Sequence, residues 1–178
     1  LLDTLITSRT RVKLLMKFFL NSRTTSYLRD LESEFGESTN AIRVELNRLE
    51  KAGLLDTEVA GNKKMYRANR RHPLFSDIHN LLLKHTGIDH IIEKVVTGMG
   101  GLQSAYVIGN FARGRDNPVI DLLLVGEGID KEYLLHLLDK AEKFISRKIR
   151  YMIVGQDEAT EFLKIYPEAL LLWKEGEE

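Results

Sequence analysis

Four polar side chains recur on one side of the segment between Ser38 and Gly53: Asn40, Arg43, Asn47 and Lys51. A guanidinium can donate two parallel hydrogen bonds to guanine O6 and N7, and an asparagine amide matches adenine N6 and N7 in the same way. Ser38 and Thr39 stand at the front of that segment, where free backbone N–H groups and short hydroxyls suit a phosphate. A second group, Asn62, Lys63 and Lys64 with Arg67 just beyond, has the chemistry of a contact to a phosphate backbone or a groove wall. A third is the run Gly109-Asn110-Phe111-Ala112-Arg113-Gly114, followed by Asp121. Gly109, Asn110 and Arg113 could hold a phosphate, and Asp121 supplies one carboxylate.

The elements that must position these groups follow from periodicity. Val12, Leu15, Met16, Phe19 and Leu20 form the stripe of an amphipathic helix that ends at Asn21-Ser22. A second helix is expected from about Ser26 to Phe35, stopped by Gly36. A third starts after Ser38 or Thr39, either of which can cap it, and runs to Gly53. At about 100° per residue, Ile42, Leu46 and Leu49 share its inner side, while Asn40, Arg43, Val44, Asn47 and Lys51 fall on the other. Leu54–Ala60 and Lys63–Ala68 read as strands joined by Gly61-Asn62 in a two-residue turn. Pro73 opens a helix from Leu74 to about Lys84.

Beyond it, Ile88, Ile91, Ile92, Val95 and Val96 form another helical stripe. Strands at Ala105–Ile108, Ile120–Val125 and Lys148–Val154 alternate with helices at Lys131–Ile145 and Glu158–Ile165, an α/β layer pattern. Ala169–Leu172 and Trp173 read as core or as a dimer contact, and Glu175–Glu178 as a solvated tail.

Three helices followed by a hairpin is the order of a winged helix-turn-helix. The charges agree with a polyanionic partner for that half. Residues 1–85 carry 15 basic and 10 acidic side chains, whereas residues 86–178 carry 11 and 16. Cysteine is absent, which removes thiolate metal sites, disulfides and thiol nucleophiles together. The histidines His79, His85 and His90 lack a repeated helical ligand spacing, so no metal and no cofactor are expected. The apolar stretch Val12–Leu20 is interrupted by Lys13 and Lys17, so no membrane association is expected and the location expected is the cytoplasm.

The run from Glu37 to Leu55, with its Leu46-x-x-Leu49-x-x-Ala52-Gly53-Leu54-Leu55 ending, resembles the recognition helix and wing entry of ArsR-like winged-helix regulators over roughly residues 8–85. That resemblance implies a homodimer joined through terminal helices, here the first helix and the Leu74–Lys84 helix. Without cysteine, the metal sensing of that group is not expected.

Gly109–Gly114 followed by Val119-Ile120-Asp121-Leu122-Leu123 resembles the nucleotidyltransferase fold of the polymerase-beta type over about residues 88–155. The resemblance implies a two-metal nucleotide transfer using an Asp-x-Asp pair and a third carboxylate from a neighbouring strand. Here Val119 stands at the first Asp, Asn110 at a phosphate-contacting Ser and Pro118 at another Ser, and no Asp or Glu lies between Lys143 and Gln156.

The expectation is an α+β chain of two domains. Residues 1–85 form a winged helix-turn-helix, and residues 86–178 a small α/β nucleotidyltransferase-like domain without catalysis. The chain is expected to be a sequence-specific double-stranded-DNA-binding transcriptional regulator and not an enzyme. Its second domain would be a nucleotide or ligand sensor, or a dimerisation scaffold. The alternatives are a nucleotidyltransferase with displaced carboxylates and an antitoxin-type protein-interaction module.

Overall fold

A computed structural model describes residues 2–176, so the last two glutamates of the expected acidic tail lie outside the described residues. The chain is a mixed α+β protein that divides into two compact units, Leu1–His85 and Thr86–Glu178. No helix among the described residues is long and apolar enough to cross a membrane.

The first unit opens with α1 (Leu2–Leu5) and α2 (Arg9–Leu15), whose cap is the Ser8 hydroxyl accepting from the Arg11 N–H. The α2 axis continues through a π-helical turn, Met16–Leu20. Its wider winding keeps Met16, Phe18, Phe19 and Leu20 all buried, so the first helix expected from periodicity belongs to the core of its own unit. Lys17 is carried inward by the same turn. It is 8% exposed and is held by Glu34 at 2.8 and 3.0 Å.

Where a helix is expected from Ser26, residues Thr25–Tyr27 instead form strand β1, and α3 covers Leu28–Phe35. Gly36 in the left-handed region ends α3, and α4 (Thr39–Lys51) begins after Ser38, whose hydroxyl accepts from the Ala41 N–H. The hairpin is β2 (Leu55–Ala60) and β3 (Lys63–Ala68), turning at Gly61-Asn62 with Gly61 at φ +63°. A positive φ at the first central position is where a hairpin turn needs glycine. β1 adds antiparallel to β3, giving a three-stranded sheet in the order β1-β3-β2. α5 (Phe75–Thr86) closes the unit, with Phe75 against Phe19 and the His79 ring 2.7 Å from the Phe19 carbonyl.

The second unit starts with α6 (Ile88–Ile91), prolonged by a π-helical turn at Ile92–Val96. Its remaining elements are β4 (Leu102–Ile108), α7 (Gly109–Ala112), β5 (Val119–Gly126), α8 (Lys131–Ile145), β6 (Lys148–Val154), α9 (Gln156–Ile165) and β7 (Leu170–Lys174). The sheet order is β6-β5-β4-β7, with β5 parallel to β6 and the other two pairings antiparallel. It is therefore a mixed sheet. The segment read as core or dimer contact is an edge strand of that sheet. Leu123 and Val125 pack with Val154, Ala159 and Ala169, and the alternating Leu122 and Leu124 are buried on the opposite face.

The Lys17–Glu34 pair sets a first test. Removing one partner of a buried ion pair leaves the other charge desolvated, whereas replacing both with apolar groups can be neutral. Glu34→Ala is expected to lower unfolding free energy by about 3–5 kcal/mol in urea titrations. Lys17→Met with Glu34→Leu is expected to recover most of that loss. Equal losses in both variants would show that the pair does not hold this corner together.

Candidate functional site

On α4, Ile42, Leu46 and Leu49 are buried while Asn40, Arg43, Asn47 and Lys51 are exposed, as helical spacing requires. Among the described residues, none of those four side chains carries a hydrogen bond or ion pair. Ser38 is spent on capping, and Thr39 is the first helical residue, half-buried.

The rotation of α4 is fixed by a charge that periodicity does not reveal. Glu45 is 5% exposed on the inner side of the helix. Its carboxylate accepts from Arg11 Nε at 2.8 Å, the Ser8 hydroxyl at 2.9 Å and Arg48 Nη1 at 3.0 Å. Burial pushes this carboxyl up. The hydrogen bonds from Arg11 and Ser8 and the charges of Arg11 and Arg48 outweigh burial, and hold it below its ordinary value of 4.5. Glu37, before the helix, is treated alike: burial raises it, and Lys13 and Thr10 lower it further.

The hairpin separates its two lysines, because successive strand side chains point to opposite faces. Lys64 turns towards α4, where its ammonium donates to both oxygens of Glu50 at 2.7 Å. That bond raises the Lys64 pKa and lowers that of Glu50. Sequence reading places Lys63 and Lys64 together as backbone contacts; the structure leaves Lys63 on the outer face, its ammonium 4.0 Å from the centre of the Tyr27 ring. Arg67 shares that outer face and lies 3.6 Å from Glu58, while Asn62 is exposed at the turn.

In the second unit, Gly109, Asn110, Arg113 and Asp121 do converge, on a cavity of about 520 Å³. Gly109 takes φ +69°, and a Cβ there would lie 3.0 Å from Asp121 Oδ2. Both conditions favour glycine where β4 meets α7. The walls also contain Arg150, Tyr151 and Tyr166, which sequence reading passes over. The parallel register sets Arg150 opposite Asp121, and its Nε donates to Asp121 Oδ1 at 2.6 Å. Asp121 is thus half-buried and ion-paired. Arg113 is likewise held, by Glu168 at 3.0 Å. The signal that could have found Arg150 is the pair of charges at Lys148 and Arg150, alternating with Ile149 and Tyr151 at the start of an otherwise apolar strand. Among the described residues, no three side chains of metal-ligating type cluster.

No protein-family model and no curated protein matches the chain. Among solved structures it is similar to a putative nucleotidyltransferase from Sulfolobus solfataricus, at 23% identity and a TM-score of 0.35, over 56% of this chain and 88% of that one. It is also similar to AF1382 from Archaeoglobus fulgidus, at 16% identity and a TM-score of 0.38, over 52% and 98% of the respective chains. The first of these corrects one expectation. The expectation that the chain is not an enzyme is withdrawn, that structure being described as a putative nucleotidyltransferase.

The Glu45 cluster predicts a pH dependence. A carboxyl whose pKa is lower folded than unfolded contributes stability that is complete above the unfolded value and is lost as pH falls through the folded one. Wild type should therefore lose stability as pH falls below about 4.5. Glu45→Gln should cost about 1–3 kcal/mol at pH 7 through weakened charge-assisted bonds. The gap between the two proteins should narrow at pH 3, measured by urea unfolding at each pH. A constant gap would remove Glu45 ionisation from the account.

Proposed function

We propose that the chain binds double-stranded DNA through its first unit, as a winged helix-turn-helix, and acts as a transcriptional regulator. The observation that carries this reading is the outer face of α4, where Asn40, Arg43, Asn47 and Lys51 stand exposed without partners among the described residues. The major groove of B-DNA admits a helix, and an arginine with two asparagines offers the donor and acceptor pattern that separates guanine from adenine. Arg43 and Asn47 read bases. Asn40 and Lys51 flank them, Ser38 and Thr39 meet a phosphate at the helix start, and Asn62, Lys63 and Arg67 reach the adjacent backbone. Lys64 serves by tying the hairpin to α4 through Glu50, which fixes the angle between the two contacting elements.

A second copy would double the recognition surface and set half-site spacing. Its docking element in this reading is α5, with Leu74 just before it and Leu81 on it both exposed. The cavity at Gly109 takes a nucleotide or another small anion as effector. Arg113 and Arg150 exchange their carboxylate partners for its charge.

DNA selection from a genomic fragment pool, followed by titration at several salt concentrations, tests the proposal. Wild type is expected to enrich one motif. Arg43→Ala with Asn47→Ala should lose about 1–3 kcal/mol of discrimination per base contact. Lys63→Ala should keep the motif and make the salt dependence shallower by about one phosphate contact. No enrichment, with no binding even at low salt, would refute the reading.

A second reading, nucleotidyl transfer by the second unit, is favoured by the convergence of Gly109, Asn110, Arg113 and Asp121 on one cavity. Two Mg²⁺ ions need several converging carboxylates. Asp121 is one and is occupied by Arg150, so this donor set does not fit a metal pair. Labelled-nucleotide incorporation that requires Mg²⁺ and disappears in Asp121→Ala is what this reading predicts; incorporation unchanged in that variant, or none at all, counts against it.

A further inference from the structure

A strongly cationic cavity lies away from the α4 face. It measures about 760 Å³ and is lined by Arg23, Arg67, Arg70 and Arg71, with Thr25 and Asp56 between them. Thr25, Arg67 and Asp56 sit side by side across β1, β3 and β2, at the end of the hairpin remote from its Gly61-Asn62 tip. Four guanidiniums against the single carboxylate of Asp56 leave a strong local excess of positive charge. Arg67 leans on Glu58 at 3.6 Å, and the guanidiniums of Arg23, Arg70 and Arg71 have no partner among the described residues.

Both segments that carry these arginines are anchored through their backbones. Asn21 Oδ1 accepts from the Arg23 N–H at 3.2 Å, and Asn69 Oδ1 from the Arg71 N–H at 3.0 Å. Asn69 is itself fastened to the start of the hairpin, its Nδ2 donating to the Gly53 carbonyl at 2.8 Å and its N–H to that of Leu54 at 2.9 Å. The backbone is held while the charged ends are exposed and unsatisfied. Like charges gathered at one concavity repel one another in the free protein, and a chain of phosphates relieves that repulsion. Guanidinium forks match phosphate oxygens in pairs.

We propose that this arginine cavity binds the phosphodiester backbone of the same duplex, beyond the base pairs reached by α4, and so lengthens the footprint without adding base specificity. The proposal rests on the DNA-binding reading above. It concerns residues that reading does not use, Arg67 excepted.

The test compares wild type with a variant carrying Arg23→Gln, Arg70→Gln and Arg71→Gln, on the selected motif in two duplexes. One is trimmed to the motif, and the other extends it by a helical turn on each side. On the long duplex the variant is expected to bind on the order of 10- to 100-fold more weakly near 0.1 M salt. Its log–log salt slope should be shallower by about 2–3, and its motif should be unchanged. On the trimmed duplex the two proteins should bind alike. The matching triple lysine variant should keep most of the slope, and thermal unfolding of each variant checks that the fold is intact. Wild-type binding with equal slopes for both proteins on the long duplex would overturn this inference and leave the α4 reading standing. No binding of either duplex by wild type would overturn both. A changed motif in the glutamine variant would also overturn it, since these arginines would then be reading bases.

Discussion

The buried carboxylate of Glu45 is the constraint on which the first unit turns. A helix with only Ile42, Leu46 and Leu49 inward could roll by tens of degrees at little cost, because apolar contact is not directional. A carboxylate almost out of water cannot, because it must keep donors on it. Arg11 and Ser8 come from the start of α2, and Arg48 from α4 itself. Together they fix both the rotation of α4 and its distance from α2. With the inner side locked, Asn40, Arg43, Asn47 and Lys51 are committed to solvent. Lys13 with Glu37, and Lys64 with Glu50, repeat the device at the two ends of the helix. Exposed pairs of that kind are weak individually, but they restrict where the turn before α4 and the hairpin after it can go.

The second unit depends on a register instead. β5 and β6 run parallel, and their pairing puts Arg150 beside Asp121. Parallel strands come from distant parts of the chain, so this juxtaposition is a product of topology. It decides the chemistry of the cavity. A carboxylate that already has a guanidinium at hydrogen-bonding distance offers a cation less than a free one does, and the same guanidinium is a candidate for an anion once displaced. Glu168 and Arg113, the latter a second cation of the cavity wall, stand in the same relation.

What could be read from the sequence divides along the same line between local and distant causes. The Leu55–Ala68 hairpin was legible because two residues, Gly61 and Asn62, dictate its turn. The Lys131–Ile145 helix was legible because its apolar stripe and Asp130 cap are contained within it. The outer face of α4 followed from helical period alone. Strand Thr25–Tyr27 was not legible, since three residues show no alternation and gain their identity only by pairing with Met65–Arg67. Leu170–Lys174 is an apolar run whose periodicity suits several structures, and pairing with β4 decides it. The π-helical turns at Met16–Leu20 and Ile92–Val96 shift a stripe by a fraction of a turn, and a 3.6-residue count absorbs that shift unnoticed. Lys64 reads as a free wing cation until Glu50, fourteen positions away, is seen to hold it.

The charge asymmetry between the two halves acquires a location from these pairings. In the first unit Glu34, Glu37, Glu45, Glu50 and Glu58 each face a lysine or an arginine. Half of the ten acidic side chains of that unit are thus engaged with scaffold cations. Among the described residues, the cations of that unit without an ion pair are Arg43 and Lys51 of α4, Lys63 of the outer sheet face, Arg23, Arg70 and Arg71 around one cavity, and Arg9, Arg29 and Lys84 elsewhere. The field of the exposed cations and buried pairs such as Lys17–Glu34 respond differently to salt, because ions in solution screen only the former. Salt weakens the first steeply and the second little, so the fold of this unit is expected to outlast the screening of its surface field.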